Sequence, residues 1–185
     1  MQTFQWVQGA LGVITGLAMT RIVVSASHMF IGRRSVRLDW VPFVWATSVF
    51  FFLLQFSWGF VALNGRVERW TFAIFIMLLI FVLNLFAAAA LVLPNTESQA
   101  GGDLRVWHEE HGRWALPFIA AYVLLAYPFN WFFMRSSPLD NPASAFFAIL
   151  AAVAFWAPSR KVLVGATIGQ LLGASALVFE MIVEG

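Results

Sequence analysis

Six apolar stretches, separated by short polar segments, dominate the hydrophobic pattern of this chain: about 4–31, 40–63, 70–93, 114–134, 142–157 and 161–182. Each is near the ~20 residues that carry a helix across a hydrocarbon core, the fifth being the shortest and open to a thinner or re-entrant course. Unpaired backbone groups cannot face lipid, so these stretches must be helices. None shows the two-residue alternation of a membrane barrel. The expected fold is therefore all-α: one polytopic integral membrane domain over 1–185, with six transmembrane helices.

The long polar segment 94–113, PNTESQAGGDLRVWHEEHGR, separates three spans from three. Within it Asp103 suits an N-cap. Leu104, Trp107, His108 and His111 fall at i, i+3, i+4 and i+7, one face of a helix. Gly112 suits a stop. The spacing predicts a short interfacial helix over about 103–111.

Composition agrees. Hydrophobic residues make up 61% and charged residues 11% of the chain, against about 25% charged in soluble domains. The formal charge of +2 and pI near 9.7 do not call for nucleic acid, because the cations sit in loops beside apolar runs. There is no cysteine, hence no disulfide or thiolate chemistry. The N-terminus MQTFQWVQGALG has no basic leader region and reads as the start of the first span.

Loop cations set the orientation. Arg33, Arg34, Arg37, Arg105, Arg113, Arg160 and Lys161 follow spans 1, 3 and 5, whereas Arg66, Arg69 and Arg135 follow spans 2 and 4. The excess places 94–113 in the cytoplasm and both termini outside, in what reads as a bacterial inner (plasma) membrane. Trp6, Trp58, Trp70 and Trp131 then lie towards the outer ends, and Trp40, Trp107, Trp114 and Trp156 towards the inner ends, as two aromatic belts.

Three sets of residues carry candidate chemistry. Gly12 and Gly16 in span 1, and Gly165, Gly169 and Gly173 in span 6, are small residues at four-residue spacing, a signal for close helix packing or self-association. Arg21 lies about 15 Å of helix from the inner end of span 1. A charge there is costly and points to function. Ser25 and His28 extend its stripe, and Thr47, Asn84 and Gln170 fall at comparable depths, so the six together outline a cytoplasm-facing polar cavity. A buried structural network, or an arginine reaching to lipid phosphates, is the competing reading. His28, His108 and His111 form the third set. With Asp39, Glu109 and Glu110 near, they could hold a metal ion, sense pH or simply sit at the interface. Glu180 reads as an interfacial carboxylate near the outer end of span 6.

Absent signals narrow the field. No potassium-filter loop, voltage-sensor arginine ladder, mid-helix lysine, Walker A or zinc-protease motif occurs. The two halves hold three spans each in opposite expected orientation, without convincing sequence similarity. The pattern favours a small channel- or transporter-like protein taking an anionic ligand, and not an enzyme. The alternative is a non-transporting scaffold, sensor or effector subunit acting through oligomerisation and its cytoplasmic loops. The expected partners are the lipid bilayer, further copies of the chain, and an anionic ligand or lipid. No cofactor is expected beyond the metal ion the histidines could hold.

Overall fold

The computed structural model describes residues 2–63, 67, 69–96, 100–134 and 142–184. Of the described residues 84% are helical, and none of them forms a strand. Among the described residues seven α-helices follow in order: α1 (Gln2–Ile31), α2 (Trp40–Ala62), α3 (Phe72–Leu91), α4 (Leu104–Glu110), α5 (Ala115–Phe129), α6 (Pro142–Phe155) and α7 (Arg160–Glu184). Five stretches are long and apolar enough to cross a membrane, within α1, α2, α3, α7 and the run Gly112–Phe132 that contains α5. The fifth expected span, the shortest, is α6, with 14 residues. At 1.5 Å per residue it covers about 21 Å of a hydrocarbon core near 30 Å.

The helix ends follow local chemistry. Asp39 accepts from the Val41 N–H at 3.1 Å to cap α2, and Thr71 accepts from Ile74 to cap α3. A 3-10 turn, Gly112–Trp114, leads into α5. Pro128 lies in the last turn of α5, where it has no N–H to give the carbonyl four residues back. The chain then passes into a π turn over Asn130–Met134. α6 opens on Pro142, whose missing donor costs nothing at a first helical position.

Six hydroxyls inside the long helices are met within their own helix. Thr15, Ser27, Thr47, Ser48, Ser57 and Thr167 each donate a hydroxyl to the carbonyl four residues earlier, at 2.7 to 3.0 Å. This is how a helix as polar as α1 can stand in an apolar setting.

Helices α2, α3, α5, α6 and α7 form a closed ring, each touching the next, and α1 packs outside it against α2 and α3. The middle of the ring is filled. Phe52 of α2 meets Tyr122 of α5 at 5.6 Å and Phe147 of α6 edge-on at 5.3 Å, while Phe81 of α3 meets Tyr122 edge-on at 5.7 Å. Ring centroids 5.3 to 5.7 Å apart lie within the range of packed aromatic pairs. At one end of the bundle Phe4, Phe60 and Trp70 cluster. At the other, the α1–α2, α3–α5 and α6–α7 connections meet, and the charged residues gather there. Exposed tryptophans ring both ends: Trp6, Trp58 and Trp131 at one, Trp40, Trp114 and Trp156 at the other.

The glycine stripes behave differently from each other. On α7, a Cβ at Gly173 would lie 2.8 Å from Phe147 and 2.9 Å from Phe146, and one at Gly169 would lie 3.3 Å from Leu150. The partner of this seam is α6, not α1, and side chains rather than backbone fill it. Gly165, Gly12 and Gly16 are exposed and have nothing within 4 Å of a built Cβ. The two stripes do not pack on each other: α1 lies against α2 and α3, which leaves Gly12 and Gly16 on the outer surface and their use in self-association untested.

Candidate functional site: the charged end of the bundle

The site is built from three connections. After α1, the backbone of Arg37 bonds both sides of the polar segment: its N–H donates to Gly102 at 2.8 Å and its carbonyl accepts from Leu104 at 3.0 Å. Gly101 and Gly102, at φ 60° and 84°, make the turn that allows this, in a region that disfavours side chains. Asp103 then caps α4 by accepting from the Arg105 N–H at 2.9 Å. The helix expected over 103–111 is thus observed as α4, held against the α1–α2 connection by backbone bonds. Leu104 packs with Met29, Val36 and Ala100.

The face expected of α4 is only half buried in fact. Leu104 and His108 are enclosed and Trp107 is partly covered, but His111 ends the helix and is exposed. Gly112 is not a left-handed stop. It is small because a Cβ there would come within 2.7 Å of both His108 Nδ1 and the Trp107 ring.

Asp39 does two jobs at this end. Besides capping α2 it accepts from Arg160 Nη2, at 2.6 Å to Oδ1, with Oδ2 as a second acceptor. Arg160 is the first residue of α7, so the pair ties the start of α2 to the start of α7. Asp39 is 7% exposed and Arg160 27%, so water screens the pair only partly.

Between α4 and the α6–α7 turn lies a cavity of about 330 Å³, whose lining includes Arg105, His108, Glu109, Arg113, Ser159 and Arg160. Arg105 is tied to Glu109 at 2.9 Å, and this hydrogen bond raises its pKa. Arg113 lies 5.6 Å over the Phe155 ring, a cation–π contact. His108 is 1% exposed, and neither ring nitrogen has a hydrogen-bond partner among the described residues. Burial pushes its pKa down to about 4, with Asp39 opposing the shift and Arg160 reinforcing it. The imidazole is therefore neutral at pH 7, with one donor nitrogen.

The six residues expected to line one cavity are dispersed. Arg21 is half-buried and donates from Nη2 to the carbonyls of Ala90 at 3.0 Å and Leu93 at 3.1 Å. These are free carbonyls at the end of α3, where a cation also meets the negative end of the helix dipole. Its bonds go to those carbonyls, not to the amides of Asn84 or Gln170. Asn84 donates to Ile80 in its own helix at 2.8 Å. Thr47 is exposed on an apolar groove between α1 and α2. His28 is exposed and its Nδ1 lies 2.7 Å from the Asn95 carbonyl. Ser25 and Gln170 are fully buried, and the Ser25 hydroxyl and both polar atoms of the Gln170 amide meet no partner among the described residues.

The metal set is likewise corrected. Among the described residues no three histidine, aspartate or glutamate side chains converge closely enough to hold an ion. His28 is engaged with Asn95, His108 is enclosed, and His111 stacks on Trp107 at 6.1 Å. Glu180 is exposed on α7. Arg66 and Arg135 lie outside the described residues.

Asp39, Arg105, Arg113 and Arg160 were legible as loop charges on one side of the membrane but not as a site. The available signal was position: Asp39 and Arg160 each stand at the very start of a long apolar helix.

No protein-family model, no curated protein and no solved structure matches the chain.

Proposed function

We propose that this protein is a non-conducting integral membrane subunit that acts through its charged end, as a scaffold, sensor or effector, rather than a channel. In this reading α6 is a sixth, short crossing, the charged end is cytoplasmic, both termini lie outside, and no catalytic step is assigned. The observation that carries the reading is the filled middle of the helix ring: Phe52, Phe81, Tyr122 and Phe147 occupy the place where a conduit would run. Self-satisfied hydroxyls along the helices support it, since a polar path needs groups that face inward and stay free. A second reading, transport of an anion, draws on buried Ser25 and Gln170.

Liposomes decide between the two. Holding the purified protein, they should pass no more chloride or phosphate than protein-free liposomes. Flux that Gln170→Leu abolishes overturns the subunit reading. Orientation is tested separately, using the absence of native cysteine. Cysteine at Gly102 should label from the cytoplasm and cysteine at Ser137 from outside, Ser137 being outside the described residues.

A further inference from the structure

We propose that the cavity between α4 and the α6–α7 turn is a phosphate-binding site, in which Arg105, Arg113 and Arg160 hold the phosphoryl oxygens and His108 donates from the inner wall. The proposal does not depend on whether the protein conducts.

Charge selects an anion. Three guanidinium groups line the cavity against the single carboxylate of Glu109. Asp39 engages Nη2 of Arg160, while Nη1 of the same guanidinium is buried and meets no partner among the described residues. Arg113 rests on Phe155, and no carboxylate among the described residues pairs with it. His108 is 1% exposed, lines the same space and has two unmet ring nitrogens. Buried polar groups without partners destabilise a fold unless a ligand or water meets them. One bound anion would meet both Arg160 Nη1 and His108.

Geometry selects phosphate among anions. The three guanidiniums come from three elements: Arg105 from α4, Arg113 from the 3-10 turn and Arg160 from α7. A carboxylate presents two oxygens in one plane and suits one fork. A phosphoryl group presents three oxygens in three directions and suits several. α7 also begins here, with Leu163 N–H bonded to the Ser159 carbonyl at 3.2 Å and no acidic residue in its first turn. Its positive end and free N–H groups add to the attraction. About 330 Å³ is at the low end for small-ligand sites, with room for a phosphate and part of the group it esterifies.

The phosphate could belong to a phospholipid headgroup, since exposed Trp114 and Trp156 mark this end as interfacial, or to a soluble molecule. Both present the same oxygens. The full chain in phosphatidylcholine nanodiscs, open on both faces, separates them. Thermal unfolding is followed while inorganic phosphate replaces chloride at constant ionic strength. In the second arm, phosphatidic acid replaces part of the phosphatidylcholine. Wild type should gain stability in at least one arm. Phosphate alone identifies a soluble ligand, and phosphatidic acid alone identifies a lipid. Arg113→Gln, at an exposed position, should unfold like wild type without ligand and need roughly tenfold more of the effective one. Arg105→Gln repeats the test at a second guanidinium. The proposal is overturned if neither arm stabilises wild type, or if both variants respond as wild type does.

Discussion

The α6–α7 seam and the outer face of α1 carry the same signal, small residues four apart, and put it to opposite use. On α7, Gly173 and Gly169 leave room that Phe147, Phe146 and Leu150 fill. On α1, Gly12 and Gly16 leave room that nothing in the chain fills. The histidines of the polar segment divide in the same way. His108 is enclosed beneath α4, and His111, three residues on, is exposed. A residue's spacing states what it permits. Whether the permission is used depends on what the fold brings opposite, and α1 stands outside the ring, packed chiefly on α2 and α3.

The largest effect that would test this contrast is acid sensitivity. His108 has a folded pKa near 4 against 6.5 for an open imidazole. Between these values the unfolded chain binds a proton that the folded chain excludes, so stability is complete above about pH 6.5 and falls as pH drops towards 4. At about 1.4 kcal/mol per unit the full loss is about 3–4 kcal/mol. Asp39, Arg160 and Glu109 face the ring and set its balance. Melting temperature should decline from pH 7 to 5. His108→Asn should flatten that decline, and His111→Asn should leave it unchanged. Equal slopes for all three proteins would break the distinction.

Gly173→Leu comes next. Its side chain would enter the space of two phenyl rings, and overpacking of this kind costs about 1–3 kcal/mol. A melting temperature equal to wild type would mean that α6 does not sit on α7 there. Gly169→Leu should cost less, on the order of 1 kcal/mol, because its neighbour Leu150 is a flexible aliphatic end that can turn away. If the two substitutions rank the other way in a detergent melt, the seam is tighter at Leu150 than at the phenyl rings.

The smallest effect sharpens the comparison most. Gly12→Leu should change the stability of the monomer by no more than about 0.5 kcal/mol, as surface substitutions do. Light scattering of the same preparation measures its mass. A drop in mass without a drop in stability would show that a second copy covers the α1 stripe. Unfolding would show that the stripe is buried after all.

Much of this molecule is dictated by composition and periodicity. Apolar runs near twenty residues long have no stable solution but helices in a bilayer, and α1, α2, α3 and α7 occur close to where the pattern puts them. Asp103 and the run from Leu104 to Glu110 form a capped helix because the cap and its donors are adjacent in the chain. Such features depend on neighbours a few residues away. The Asp39–Arg160 pair joins positions 121 apart, Arg21 reaches Ala90 across 69, and Trp45 donates to Thr167 across 122. Only the packing order of the helices decides those meetings. It is set by shape complementarity between whole faces, so no single position encodes it. The same packing carried Arg105, Arg113 and Arg160 from a topology count into one cavity, and dispersed Arg21, Thr47, Asn84 and His28 among partners of their own. Depth along a helix can be counted from sequence, because the rise per residue is fixed. Which way a helix turns its polar stripe is decided by the neighbours that give its other faces something to bury against.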